Sequence, residues 1–127
     1  MTMRWVVAVF AALSVFPQPG NGVVRAHHNQ AGFEAPDKAI ILEGTVAEYR
    51  WRNPHVLLFW DVEGENGEVV RWTGELGSVN TSIANGLTRR SLETGDRITV
   101  TAIPSRAGTP VSLIERLVKE DGTVLSD

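Results

Sequence analysis

The sequence predicts an all-β domain with a small α content. Three observations carry this. Several runs rich in β-branched and aromatic residues alternate apolar and polar positions, most cleanly RITVTAI at Arg97 to Ile103. An Asn66-Gly67 pair lies between two such runs, which is the strongest short-range hairpin signal. The alternation fails once, from Ser78 to Leu92, where a short helix fits.

The elements follow in order. Asn29 to Lys38 is polar, carries Gly and Pro, and reads as an extended arm. AIILEGTVAEYRW, from Ala39 to Trp51, reads as the first strand, with Gly44 as a bulge or bend. Arg52-Asn53-Pro54 breaks the run, because Pro54 cannot donate to a central ladder. His55 to Val62 is a second strand: Val56, Leu58, Trp60 and Val62 face one way, Leu57, Phe59 and Asp61 the other. After the Asn-Gly turn, Glu68 to Leu76 returns as the third. Ser78 or Asn80 can cap a helix with Ile83 and Leu87 on one face, and Gly86 ends or kinks it. Thr88 to Leu92 adds one more turn. Arg97 to Ile103 is the fourth strand, with Ile98, Val100 and Ala102 inward. Val111 to Lys119 is apolar at both strand and helix periods and is read as the fifth strand. Asp121-Gly122 turns into a short closing strand at Thr123 to Leu125. The order β-β-β-α-β-β is that of an OB-like five-stranded barrel.

Ahead of the barrel lies a targeting pattern. Arg4 supplies the early positive charge, WVVAVFAALSVF supplies an apolar run of 12 residues, and a polar stretch follows. The run falls short of the ~20 residues that span a bilayer, although an uncleaved anchor is the alternative. Val24 and Ala26 suit the -3 and -1 positions of a cleavage site, so the expected cut frees His27. The expected organisation is a signal peptide helix at 1–26, an N-terminal arm at 27–38 and the barrel at 39–127, in a periplasmic protein with no stable membrane span after cleavage. Removing 26 of the 127 residues leaves 101. Arg4 and Arg25 leave while all 15 acidic residues stay, so the net charge moves from -3 to -5. That balance disfavours nucleic acid as a partner. The absence of cysteine excludes disulfides, thiolate metal sites and a cysteine nucleophile, leaving stability to the core.

With these motifs placed, the chain resembles a family of small exported bacterial proteins defined as a domain of unknown function. The resemblance rests on Ala26-His27-His28, Gly44-Thr45-Val46, Trp51-Arg52-Asn53-Pro54-His55, Glu75-Leu76-Gly77-Ser78, Leu92-Glu93-Thr94-Gly95-Asp96 and Asp121-Gly122. The chain departs from that pattern at Asn29-Gln30, where Ser-Phe is usual, at Val79 for Pro, and at Leu87 for Trp. The resemblance implies export and a small β-domain, and no activity.

Candidate chemistry centres on histidine. A mature N-terminal His27 offers its amine and its ring nitrogen as a chelate suited to Cu(II), and rings from His28 and His55 would complete a nitrogen site for copper or zinc. The extended arm could fold back along the first strand to bring its tip to His55. The plain alternative is a solvated His27-His28 pair and a half-buried His55 ring beside a proline turn. Trp51, Trp60 and Trp72 sit on the first three strands, where OB barrels stack bases or sugars; core packing is the competing reading, least so for Trp51, which could line a shallow cleft with His55. Asn53 can cap its turn and fix the His55 ring, or simply build a corner. Glu75 is a ligand or supporting carboxylate, or merely the end of a strand ahead of the Ser78 cap. Arg89-Arg90 can hold an anion or form a solvated face, and no phosphate loop or nucleophile elbow occurs.

The expected function is an exported periplasmic binding or accessory module. Its site would comprise Trp51, Asn53, His55 and Glu75, with metal through His27, His28 and His55, and its partner would be a small ligand or an envelope protein. A small metalloenzyme using the same histidines, or a purely structural partner domain of an envelope complex, is the alternative.

Overall fold

Strand-forming runs and the turns between them close into a barrel in the computed structural model, which describes residues 30–126. The strands are β1 (Ile40–Arg50), β2 (Leu57–Glu63), β3 (Val69–Glu75), β4 (Arg97–Pro104), β5 (Val111–Lys119) and β6 (Val124–Ser126). A single short helix, α1 (Val79–Ala84), lies between β3 and β4. The sheet runs β3-β2-β1-β4-β5-β6, and an added β3–β5 pairing closes five of the strands on themselves. The OB-like order expected from the sequence is therefore the observed one. The 1–26 signal segment and the His27-His28 pair lie outside the described residues, and among the described residues no helix is long and apolar enough to cross a membrane.

β1 serves two partners. Its first half pairs with β4 from Ile40↔Ala102 to Thr45↔Arg97, and its second half pairs with β2 from Thr45↔Asp61 to Arg50↔Leu57. The register slips between Val46 and Glu48, so the bulge expected at Gly44 lies a few residues further on. Gly44 has another task. A Cβ there would fall on the Asp61 carbonyl oxygen and 2.8 Å from Trp60 Cδ1. Gly74 on β3 mirrors it, since a Cβ would strike the Ile114 side chain and lie 2.9 Å from Trp60 Cζ3. Two bare backbone positions thus admit the indole of Trp60, which is fully buried on β2 and stacks on Trp72 with 6.1 Å between centroids.

The inward faces match the sequence pattern. Val46, Leu58, Trp60, Val100, Ala102 and Leu117 form the dry centre, and each large side chain fully buried there is worth about 1.5–3 kcal/mol. Closure rests on a short parallel seam, Thr73↔Val111, Gly74↔Ser112 and Glu75↔Leu113. β6 pairs further along the same edge of β5, at Arg116 to Val118. The hairpin between β2 and β3 closes through Gly64 and Glu68, with Gly67 at φ +78° as the Asn-Gly pair demands.

Two expectations change. Residues 30–38 are not extended: they form 3-10 turns at Gln30–Gly32 and Pro36–Lys38, and buried Phe33 bridges to Ser105 past the end of β4. The segment is docked because Phe33 finds apolar cover and the Glu34 N–H finds the Pro104 carbonyl. The helix face also differs. α1 ends at Ala84, and Gly86 at φ +89° reverses the chain, so Leu87 is buried beyond the helix while Ile83 is 57% exposed. The helix instead buries Ser82, with Val79 packed against the core.

Candidate functional site

Two motifs far apart in sequence meet at one corner. β2 and β3 pair beyond their formal ends: the Val56 N–H donates to the Gly77 carbonyl, and the Leu76 N–H donates to the Val56 carbonyl. This sets the Asn53-Pro54-His55 turn against Glu75-Leu76-Gly77-Ser78. His55 Nδ1 lies 3.9 Å from Glu75 Oε2, within ion-pair range but longer than a hydrogen bond, with the side chains 47% and 33% exposed. Nε2, across the ring, is not part of that contact. The Asn53–Pro54 peptide is cis.

Asn53 does not orient the histidine. Its Oδ1 accepts from the Val79 N–H at 3.0 Å, and Ser78 Oγ accepts from the Thr81 N–H at 3.2 Å. The two side chains satisfy two of the four open donors of α1, one of them from 26 residues away. Glu75, not Asn53, is the group that faces His55.

Trp51 belongs to a different surface. Its ring meets Tyr49 at 5.8 Å, and it walls a shallow depression of about 440 Å³ with Ile83, Gly86, Leu87, Thr88 and Arg89. His55 does not line this depression, so the cleft expected between Trp51 and His55 is replaced by two sites at opposite ends of α1. Ile83 and Leu87 keep the spacing of a helix face in the sequence, but their joint part in this depression depends on the Gly86 reversal. Trp60 is fully buried, and Trp51 and Trp72 are both half-buried against the core, so none of the first three strands presents a fully exposed stacking platform; of these rings only Trp51 lines this depression.

Two arginines on β1 and β3 are paired with carboxylates. Arg50 donates to both oxygens of Glu48, at 2.8 and 3.0 Å, and lies 4.7 Å over the Phe59 ring. That hydrogen bonding holds the Glu48 carboxyl below its ordinary range, with the Arg50 and Arg52 charges helping and desolvation opposing. Arg71 makes the same two-pronged contact with Asp61, at 2.8 Å on each oxygen, and lowers its pKa in the same way.

Among the described residues no three His, Asp or Glu side chains gather as a metal site. His55 with Glu75 is a pair, and the other two histidines, His27 and His28, lie outside the described residues. The start of the described chain is some way off. The register row Leu57↔Glu75↔Leu113↔Ile103 crosses from β2 to β4, and His55 and Ser105 lie beyond its two ends in opposite directions. Three strand spacings and four residues put roughly 20 Å between them along the barrel wall.

The fold and corner define a small, closed OB-like barrel with a half-exposed histidine–carboxylate pair on its rim. The chain belongs to DUF6152, a family of unknown function, which matches residues 20–114. The match takes in β1 to β4, α1 and the first residues of β5. Comparison with curated proteins and with solved structures gave no match.

Proposed function

We propose that this protein is an exported periplasmic binding or accessory module that holds copper or zinc between the Nε2 of His55 and the histidines of a mature N-terminus, His27 and His28. The observation that carries the reading is the His55–Glu75 pair. Metal-binding histidines commonly turn their second ring nitrogen toward a carboxylate, which fixes the tautomer and raises ligand basicity. Glu75 faces Nδ1 at 3.9 Å, so it fixes the tautomer once the two close to hydrogen-bond length, and it leaves Nε2 for a ligand. A free His27 amine and ring add the nitrogen donors that Cu(II) favours.

The reach is sufficient only with the chain drawn out. Six residues from Phe33 back to His27 span at most about 20 Å when extended, the same as the distance along the wall to the corner, so the 3-10 turn at Gln30–Gly32 must open for the site to form. The proposed site therefore forms when the segment runs back along the barrel, and His55 and the His27-His28 pair lose affinity together if either is removed.

Intact-mass measurement of the exported protein, followed by Cu(II) and Zn(II) titration, tests this. The expected results are a mature chain starting at His27, one equivalent of metal, and at least tenfold weaker binding in His55→Ala, the lower bound for losing a ligand's support. Cleavage elsewhere, or affinity no better than that of a free arm peptide, defeats the proposal.

A further inference from the structure

The depression beside Trp51 differs in chemistry from the histidine corner, with an apolar floor and an aromatic wall. Its floor is Leu87, which is buried, and one flank is Ile83, the large apolar side chain that α1 leaves exposed. Its wall is held in place: the Tyr49 ring packs on Trp51, and the Tyr49 hydroxyl donates to the Thr88 carbonyl at 3.2 Å. The rim is also tied. The Thr88 N–H donates to Ser91 Oγ at 2.8 Å, and the Arg90 N–H donates to Thr88 Oγ1 at 3.1 Å. Gly86 puts no side chain over the mouth, and even a Cβ there would meet open space. The volume of about 440 Å³ lies within the ~300–1,000 Å³ of small-molecule sites.

Charge selects among apolar ligands. Arg89 lines the depression and Arg90 follows it, and neither has a carboxylate partner among the described residues. Arg50, Arg71 and Arg97 each have one, and of the other described arginines without one, Arg52, Arg106 and Arg116, none lines the depression. In a chain of net charge -3, an unpaired arginine at the edge of an apolar, aromatic-walled groove favours a molecule with an apolar body and a single anionic head. We propose that this groove binds small amphipathic carboxylates, the hydrocarbon chain lying along Trp51, Ile83 and Leu87 and the carboxylate accepting from the Arg89 guanidinium.

Octanoate and its neutral counterpart 1-octanol provide the test, titrated with chelator present so that the outcome is independent of the histidine reading. Backbone amide NMR shifts are followed over Gly86 to Arg89, together with the Trp51 indole N–H. Octanoate is expected to shift these signals with a dissociation constant near or below about 1 mM, the range open to so small a ligand. Arg89→Gln should weaken octanoate about tenfold, through loss of one charge-assisted contact, and leave 1-octanol unchanged. Ile83→Ser should weaken both. Both substitutions fall on exposed side chains, so the variants should keep the wild-type spectrum elsewhere. The proposal is overturned if octanoate shifts other regions or none, if 1-octanol binds as tightly as octanoate, or if Arg89→Gln leaves octanoate affinity intact.

Discussion

Gly44→Ala tests how the barrel is packed. The new methyl would fall on the Asp61 carbonyl oxygen, with Trp60 Cδ1 at 2.8 Å and the Asp61 carbonyl carbon at 3.0 Å. Two of these three atoms are backbone and the third belongs to a fully buried ring, so none is free to move aside. Relief requires β1 and β2 to part where they pair, and overpacking of this kind costs about 1–3 kcal/mol. The rigid surroundings place Gly44 near the upper end. Alanine restricts the unfolded chain and returns about 0.4–1 kcal/mol. The net loss is about 2 kcal/mol, which lowers Tm by roughly 8–16 °C in a domain of this size. Thermal unfolding followed by far-UV circular dichroism reads it, with Gly32→Ala as control, because nothing lies within 4 Å of a Cβ there. The control should stay within about 0.5 kcal/mol of wild type, as surface changes do. If Gly44→Ala melts with the control, the close approach of β1 to Trp60 is refuted.

Three further outcomes are expected. Ser112 is fully buried on the β3–β5 seam and its Oγ has no hydrogen-bond partner among the described residues, so Ser112→Ala should be neutral or stabilising by up to about 1 kcal/mol in urea unfolding. Asn53→Ala removes the acceptor for the Val79 N–H and should cost about 1 kcal/mol, with faster amide exchange at Val79 as its local signature; unchanged exchange would contradict the contact. The Arg71 contact lowers the Asp61 pKa, so its contribution is present above the usual aspartate value of 3.8 and is lost as pH falls through the lowered one. Arg71→Gln should therefore be less stable than wild type near pH 6 and converge with it near about pH 2, and parallel pH–stability curves would count against the pairing.

Most of the barrel was legible because its signals are local. Arg97 to Ile103 alternates without interruption, the Asn66-Gly67 turn has few competing solutions, and Val56, Leu58 and Trp60 share a face as period two requires. What was not legible depends on distant partners. Nothing near Asn53 in sequence says that its acceptor is spent on Val79, and nothing near Gly44 says that an indole from β2 lies against it. The helix face was misread because Ile83 and Leu87 keep helical spacing across a glycine that ends the helix between them. His55 and Glu75 were both named as site residues, but that they face each other follows only from the pairing of Val56 with Leu76 and Gly77.

The divided loyalty of β1 and the late seam of β5 set an order of assembly. During synthesis the three-stranded meander of β1, β2 and β3 emerges first, and its hairpin pairing is local. Both outer edges of that meander stay bare until residues 97–119 arrive, because β1 takes its second neighbour from β4 and β3 takes its second neighbour from β5. Pairings between such distant segments slow folding and leave strand edges open to other chains in the interval. A chain that ends before Val111 would keep the Trp60 strand and the His55 turn yet never acquire the seam that shuts them in. The last quarter of the sequence, which carries no candidate site residue, is the part that decides when the rest becomes a barrel.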